Sequence, residues 1–350
     1  MDEAGSESMK TEGTETSSRI RQATCAGRFY PADPAELQDL VSTCLRHARP
    51  VAESSPKAII APHAGYVYSG PVAGSAYLPW RGSGDRIRRV VLLGPSHYVD
   101  FEGVALSSAT AFATPLGVVP VDHDWTDAVR RLPQVRVMDS AHDPEHALEA
   151  QLPFLQTVLG KFSIVPLLVG AAGDQEVSEV LEPLWGGPET RVVVSSDLSH
   201  YHDYLTALAV DAATAQAIER LEGEFIDGDH ACGSRAIRGL IGLARRHGLG
   251  ATAIDLRNSG DTAGPRDRVV GYGAFLFAER HDSRSYPKAA HRVALRGYEP
   301  ANDPNLSARQ APRGPVIPIG RAGSDGSSTG GGPSPVGVQS CGRARQNLSR

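Results

Sequence analysis

Five short runs of apolar residues, rich in Val, Ile and Leu, are distributed along the chain and are separated by longer amphipathic segments. Continuous apolar runs of this length are typical of strands that are covered on both faces, as in a parallel sheet. The predicted strands are KAIIAP (57–62), RVVLLGP (89–95), FSIVPLLVG (162–170), RVVVSSD (191–197) and VVGYGAFLF (269–277).

Four segments between these runs carry apolar residues at helical spacing. The first begins with Asp33, which can cap a helix, and Pro34, which fits the first helical position. Pro153 lies inside the second and should bend or break it, and Gly248 can end the fourth. The predicted helices cover residues 33–48, 145–160, 203–221 and 233–248. Alternating strands and helices predict an α/β fold, a three-layer sandwich around a central, mostly parallel sheet.

The two ends of the chain differ in composition from its centre. Residues 1–18 have few apolar side chains to bury and are expected to form a disordered leader. Residues 282–350 are rich in Gly, Ser, Pro and Arg and are expected to form a disordered tail, either simply solvated or weakly anion-binding. No linker composition interrupts residues 19–281, so we predict a single domain there.

Composition and charge exclude several classes of protein. The net charge of −5 gives no general attraction to nucleic acid or to a membrane surface. No secretory signal and no apolar stretch of about 20 residues is present, so we expect a cytoplasmic protein. The four cysteines have neither zinc-ribbon nor disulfide-framework spacing, and we expect them to be reduced. They are Cys25, Cys44, Cys232 and Cys341.

Three of the predicted strands end in potential metal ligands or proton carriers. His63 follows the first strand, His97 follows the second, and Asp197 and His200 follow the fourth. In open α/β sheets, ligands bind beyond the carboxyl ends of the strands, so these side chains should converge if the strands are parallel neighbours. One such histidine alone would more often be a turn or surface residue. Two histidines with an anionic ligand suit Fe(II), Zn(II) or Cu.

The spacing does not determine the third ligand of such a site. Asp197, Glu145 and Cys232 are all candidates. Cys232 lies just before a predicted helix, where the helix N-terminus favours the thiolate that a metal requires. The alternative is that Cys232 is a small buried apolar residue.

Further candidates could line a pocket around this edge of the sheet. Glu145 and Glu149 are four residues apart and would share a helix face, with His146 beside them. They could equally be first-turn acids that complement the helix dipole. Tyr66 and Tyr68 could line the pocket or pack as core aromatics. The segment lacks the H-E-x-x-H motif of zinc proteases, and the chain lacks the G-x-S-x-G motif of α/β-hydrolases.

The segments that carry these residues resemble, in order, those of the Memo family, known in prokaryotes as AmmeMemoRadiSam system protein B. This resemblance implies a fold like that of class III extradiol dioxygenases, which are non-heme iron enzymes with a metal held by two histidines and a carboxylate. The matching segments are AGRFYP (26–31), APHAGYVYSG (61–70), LLGPSH (92–97), EHALEAQLPF (145–154), SSDLSHY (195–201), ACG (231–233) and NSGD with VVGYGAFLF (258–277).

The resemblance also implies roles for individual residues. His63 and His97 match the two metal-binding histidines of the family, and Cys232 matches its third, sulfur ligand. Asp197 and His200 match a segment beside the metal, where the equivalent histidine of the dioxygenases acts as an acid and base. The implied metal is Fe(II) or Cu, with Zn as a further possibility. By the same comparison, His146 and Glu149 lie near the pocket.

Three functions are compatible with these observations. The first is a metal-dependent redox enzyme that acts with radical-SAM and AMMECR-type partners, as the family name implies. The second is a non-catalytic module that binds a peptide, a small ligand or a metal in the same crevice, since a thiolate replaces the carboxylate of the dioxygenases. The third, zinc-dependent hydrolysis, requires only three protein ligands and a water molecule.

Overall fold

The computed structural model describes residues 19–51 and 55–279. The predictions for residues 1–18 and 282–350, and for Cys341, lie outside these residues. The described strands are β1 (Ile20–Arg21), β2 (Ala58–Ala61), β3 (Arg89–Pro95), β4 (Val104–Leu106), β5 (Ala111–Thr114), β6 (Gly117–Pro120), β7 (Val135–Val137), β8 (Ser163–Val169), β9 (Thr190–Ser195), β10 (His200–His202), β11 (Leu249–Asn258) and β12 (Val269–Glu279). The helices are α1 (Pro34–Arg46), α2 (Tyr66–Tyr77), α3 (His123–Val129), α4 (Asp139–His142), α5 (Leu152–Leu159), α6 (Asp174–Leu181), α7 (Tyr204–Glu219) and α8 (Ser234–Arg246).

The main sheet has nine strands and a parallel centre. Its order is β10-β12-β2-β9-β3-β8-β4-β7, and β11 also pairs with β12. Strands β2, β9, β3 and β8 are parallel neighbours, whereas β12 runs antiparallel to β2 and β4 runs antiparallel to β8. Four of the eight described pairings are parallel, so the sheet is mixed and the prediction of a mostly parallel sheet is corrected. Three of the four antiparallel pairings involve β12, which pairs with β2, β10 and β11, and the fourth joins β4 to β8.

Helices cover both faces of this sheet. Ile59 and Val193 pack with residues of α1, α2 and α5 in one core. Ile60 and Val194, the next residues along the same strands, pack with residues of α6, α7 and α8 in the other. Because successive strand residues point to opposite faces, both are buried, which explains why the strands are continuously apolar. The predicted three-layer α/β arrangement therefore describes the molecule.

The helix predicted over residues 145–160 forms only in its second half. Helix α5 begins at Leu152 and is preceded by a 3₁₀ turn over Glu149–Gln151. Proline has no N–H and clashes with a preceding helical turn, so Pro153 is accommodated in the first turn of the helix and not inside it. Glu145 therefore lies outside any helix, and Glu145 and Glu149 do not share a helix face.

The segment that follows β1 is fixed against the main body of the protein. Strand β1 pairs with β5 in a separate three-stranded sheet of order β1-β5-β6. Farther along, the backbone N–H of Tyr66 at the start of α2 donates to the carbonyl of Phe29, with 2.8 Å between the atoms. This contact brings the segment beside the turn that joins β2 to α2.

None of the helices in the described part of the chain is both long and apolar enough to cross a membrane. The three cysteines in the same part of the chain are unpaired.

Candidate metal centre

Three histidines converge at the carboxyl edge of the parallel strands. His63 follows β2 and His97 follows β3, while His146 belongs to the loop before α5. One potential ligand atom from each of the three lies within 4.8 Å of those from the other two. The Sγ atom of Cys232, just before α8, is 3.3 Å from Nε2 of His63. The structure thus brings together the predicted ligands His63, His97 and Cys232, and it places His146, a predicted pocket residue, in the same cluster.

The hydrogen bonds of Ser195 determine the tautomer of His63. The Ser195 hydroxyl donates to the carbonyl of Ala147 at 2.7 Å and accepts from Nε2 of Gln151 at 2.8 Å. Since a serine has one donor, its 2.8 Å contact with Nδ1 of His63 requires that Nδ1 carries the proton. Burial and the neighbouring histidines hold the pKa of His63 well below its usual value. The ring is therefore neutral, and the lone pair of Nε2 is available to a metal.

Glu145 fixes the position of His97. Its carboxylate accepts from Nδ1 of His97 at 2.8 Å and from the backbone N–H of the same residue at 2.6 Å. Burial raises the pKa of Glu145, but the hydrogen bonds and charge of His97 outweigh it and lower the pKa to about 2. A carboxylate that holds Nδ1 of a histidine is the usual support of a metal ligand, because it orients the ring and leaves Nε2 free.

His146 completes the group of imidazoles. Its ring stacks on that of His97 with 4.5 Å between centroids, and its Nδ1 lies 3.2 Å from Oε1 of Glu145. On its other side, the ring packs against Phe29 at 4.6 Å. Burial and the charge of His97 lower the pKa of His146 to about 4, so this ring is also neutral near pH 7.

Cys232 is half-buried and lies beside both His63 and His97. Its Sγ is 3.7 Å from the Asp197 carbonyl and 3.8 Å from the Ser196 hydroxyl. Burial raises the pKa of this thiol. In contrast, the pKa of His97 is raised well above its usual value, since hydrogen bonds to Cys232 and Glu145 outweigh the opposing effect of burial.

Asp197 and His200 both lie at the site, but they do not form a pair. The Oδ1 atom of Asp197 accepts from the backbone N–H groups of His63 at 2.8 Å and Ala64 at 3.3 Å, so it pins the loop that carries His63. Burial raises the pKa of Asp197 to about 6. His200 instead hydrogen-bonds the carbonyl of Leu198, and burial lowers its pKa to about 4.

The other predicted pocket residues pack in the core of the protein and not in the histidine cluster. Glu149 is fully buried and accepts hydrogen bonds from Arg21 and from the hydroxyl of Tyr30, at 2.6 Å each. Tyr66 is buried against Phe154, with its hydroxyl donating to a backbone carbonyl. These two side chains have roles in the core because their polar atoms are already satisfied. Tyr68 is half-buried and packs at the margin of the same core.

A cavity of about 660 Å³ adjoins the cluster, and His97 and Cys232 form part of its wall. Its size falls within the range of small-molecule sites. The cavity is lined by the segment after β3, the end of β8 and the residues at the start of α8.

Sequence reasoning did not identify Ser195 and Gln151 as parts of the site. Both are fully buried and neither would contact a ligand directly. Ser195 lies in the SSD segment of the strand predicted over residues 191–197 and ends β9, and its polarity after an apolar run is the one available signal. Nothing in the sequence marks Gln151, whose amide reaches Ser195 across a separation of 44 residues.

Comparison with known proteins identifies a family. A sequence model of the family described as Memo-like protein matches residues 21–276. A MEMO1 family protein of Aquifex aeolicus is 35% identical over 276 residues, covering 74% of this chain and 99% of the relative. One from Methanopyrus kandleri is 34% identical over 281 residues, with 73% and 98% covered, and one from Methanothermobacter thermautotrophicus is 33% identical over 275 residues, with 72% and 98% covered. The match spans nearly all of the described residues and includes every part of the histidine cluster, and the chain belongs to the Memo family.

Proposed function

We propose that this protein binds one redox-active metal ion, Fe(II) or Cu, and uses it to transform a small molecule in the adjoining cavity. His63 and His97 would bind the metal, together with Cys232 or His146. The observation that carries this proposal is the convergence of three imidazoles, of which His63 and His97 are held at Nδ1 by hydrogen bonds so that Nε2 is left for a metal. Imidazole and thiolate donors suit Fe, Cu and Zn, and do not suit Mg or Ca.

The residues around the metal centre would have separate roles in proton transfer and in positioning. A bound Fe(II) or Cu ion would supply electron transfer to dioxygen. His200 is neutral near pH 7, because burial lowers its pKa, and its ring nitrogen opposite the Leu198 contact could accept a proton from the substrate. Asp197 acts as a positioning residue, since its carboxylate is engaged by the amides of His63 and Ala64.

The proposal also includes the relationship of the fold to a known enzyme class, the location of the protein in the cell and its partner proteins. Histidines at the carboxyl edge of a sheet covered on both faces support a relationship to class III extradiol dioxygenases. We further propose a cytoplasmic protein that acts with radical-SAM and AMMECR-type partners. Co-purification of the tagged chain from its own cells would test these partners directly.

A third imidazole favours zinc-dependent hydrolysis as the second candidate function. Three histidines and a water molecule are a ligand set of catalytic zinc sites, and His146 supplies the third ring here. A non-catalytic binding module would use the same donors but would show metal binding without turnover.

Metal content and oxygen consumption of anaerobically purified protein test the proposal. We expect about one Fe or Cu per chain and oxygen uptake that depends on it. His63→Ala should lose the metal, because its Nε2 faces the cluster. His123→Ala, which removes an exposed histidine at the start of α3, should bind metal normally. Intact protein without metal would overturn the proposal, and one zinc per chain without oxygen uptake would favour hydrolysis.

Two variants distinguish the third ligand. Cys232→Ser should abolish the thiolate-to-metal charge-transfer band of the cobalt-substituted protein if sulfur is bound, while His146→Ala should leave this band in place. If His146 is the ligand, cobalt-substituted protein will show no such band before any substitution, and His146→Ala will weaken metal binding more than Cys232→Ser.

A further inference from the structure

Helix α8 begins without a cap. It has 13 residues, its N-cap is Gly233, and its first turn contains no acidic side chain. The backbone N–H groups of Arg235 and Ala236 have no acceptor among the described residues, while that of Ile237 closes the first helical turn with Gly233. Unpaired N–H groups at a helix N-terminus, together with the helix dipole, favour a negative charge at this position.

An unpartnered hydroxyl lies at the same place. Ser234, the first residue of α8, is only 7% exposed, and among the described residues its hydroxyl makes no hydrogen bond, although its oxygen is not sealed from solvent. Ser234, Arg235 and Ala236 all line the cavity of about 660 Å³ beside the histidine cluster. Because this oxygen is accessible and Ser234 lines the cavity, a ligand in the cavity can supply the partner that the hydroxyl lacks.

We propose that the N-terminus of α8 binds an anionic group, a carboxylate or a phosphate, of the small molecule that occupies this cavity. The donors are the N–H groups of Arg235 and Ala236 and the hydroxyl of Ser234. The guanidinium of Arg235 donates to the carbonyl of Gly170 at 3.0 Å, and since both residues line the cavity it adds positive charge to the cavity wall.

The remaining charges of the cavity limit where a ligand can carry negative charge. Asp100 and Glu102 line it from the segment after β3 and are exposed. Their carboxylates would repel a second anionic group near that rim. We therefore expect a ligand with its negative charge at one end, bound at α8.

Two other lining residues connect this subsite to the proposed chemistry. Cys232 is two residues before α8, and His97 also lines the cavity. A molecule anchored at α8 would therefore present its uncharged part to the metal ligands. This last step rests on the proposed function, whereas the anion subsite itself does not require a metal.

Anion titrations of the full, isotope-labelled and metal-stripped chain test the inference. Inorganic phosphate and acetate are added separately, and the amide resonances of Arg235 and Ala236 are followed by NMR. We expect saturable shifts of both resonances with at least one anion. Saturation by phosphate alone would assign a phosphoryl group, and saturation by acetate alone would assign a carboxylate.

Ser234→Asp is the decisive variant, because it places a carboxylate of the protein at the subsite and should also stabilise α8. This carboxylate would repel an added anion and compete with it for the N–H groups at the start of α8. Because the anion then loses charge-assisted hydrogen bonds, its binding should weaken roughly tenfold or more. Arg245→Gln removes one positive charge from the far end of the same helix and should leave binding unchanged. No saturable shift with either anion, or equal binding by Ser234→Asp, would overturn the inference. Anion binding by a protein that takes up no metal would leave this inference intact and would contradict only the proposed function.

Discussion

The orientation of His63 depends on a chain of buried side chains that would not touch a ligand. The hydroxyl of Tyr77 donates to Oε1 of Gln151 at 2.7 Å, which directs the amide nitrogen of Gln151 towards Ser195. The Ser195 hydroxyl then donates to the carbonyl of Ala147 and leaves His63 as the donor at Nδ1. One rotamer and one tautomer of His63 are selected in this way before any metal binds.

Ser195→Ala tests this role of the hydroxyl. It removes the acceptor of His63 Nδ1, so the ring can rotate or change tautomer. We expect metal affinity to fall roughly 10- to 100-fold, as is usual when the support of a ligand is lost. Competition with a chromophoric chelator measures it. Ser178→Ala is the matched control, since that serine is equally buried but bonds a carbonyl of α8. Equal metal affinity of the two variants would contradict the assignment.

Asp211 leads to a second prediction, which concerns how the stability of the folded protein depends on pH. This carboxyl in α7 is 2% exposed, and burial raises its pKa from 3.8 to about 7. Between these two values the folded protein holds a proton that the unfolded chain has lost. Stability due to this group therefore falls as the pH rises from about 4 to about 7.

Asp211→Asn should remove this dependence while keeping an oxygen that can accept from the backbone N–H of Ser199. The pKa difference of about three, at about 1.4 kcal/mol for each, gives the variant an advantage over the natural chain that grows by up to about 4 kcal/mol between pH 4 and pH 8. Urea denaturation at both pH values measures it. An advantage that is constant with pH would show that Asp211 is ionised in the folded protein.

Helices and strands with buried apolar faces were predictable from the sequence, whereas the packing of the loops between them was not. The run at residues 89–95 coincides with β3, and Asp33 caps α1 by accepting from the N–H groups of two residues in its first turn. Both features depend on local chemistry that the sequence displays. The loop before α5 depends instead on Arg21, which is more than 120 residues away and bonds the carbonyls of His142 and Glu145. No local pattern reveals such a contact.

The buried Arg21–Glu149 pair is one of the interactions that join β1 to this loop. Either residue alone would be an uncompensated buried charge, so we expect Arg21→Met or Glu149→Gln to cost about 3–5 kcal/mol of unfolding free energy. The double variant should cost clearly less than the sum of the two, because no unpaired charge remains. Urea denaturation of all four proteins measures the coupling. The exposed Arg245–Glu224 pair is the control, with a coupling below about 1 kcal/mol.

On the scale of the whole molecule, the sequence predicts which strands exist and what lies at their ends, but not how the sheet is completed. Convergence of His63, His97 and Asp197 follows from adjacency of β2, β9 and β3, and the recurrence of polar residues after apolar runs indicates it. The antiparallel placement of β12 beside β2 depends on pairing across more than 200 residues. Antiparallel and parallel partners satisfy the same backbone groups, so the apolar pattern of β12 does not distinguish them.

The extent of the family match leads to a prediction for the whole chain. The match covers residues 21–276, which lie within the segment 19–279. A chain trimmed to 19–279 should therefore keep its metal stoichiometry and unfold within about 2 °C of the full chain, a difference below about 1 kcal/mol.

A chain that begins at residue 31 is the informative comparison. It lacks Arg21 and Phe29, which hold Glu149 and pack on His146, so it should unfold at a clearly lower temperature and bind metal more weakly. If the 19–279 chain were destabilised as much as the shorter one, residues beyond the described body would contribute to its folding. Thermal unfolding with metal analysis of the three chains separates these outcomes.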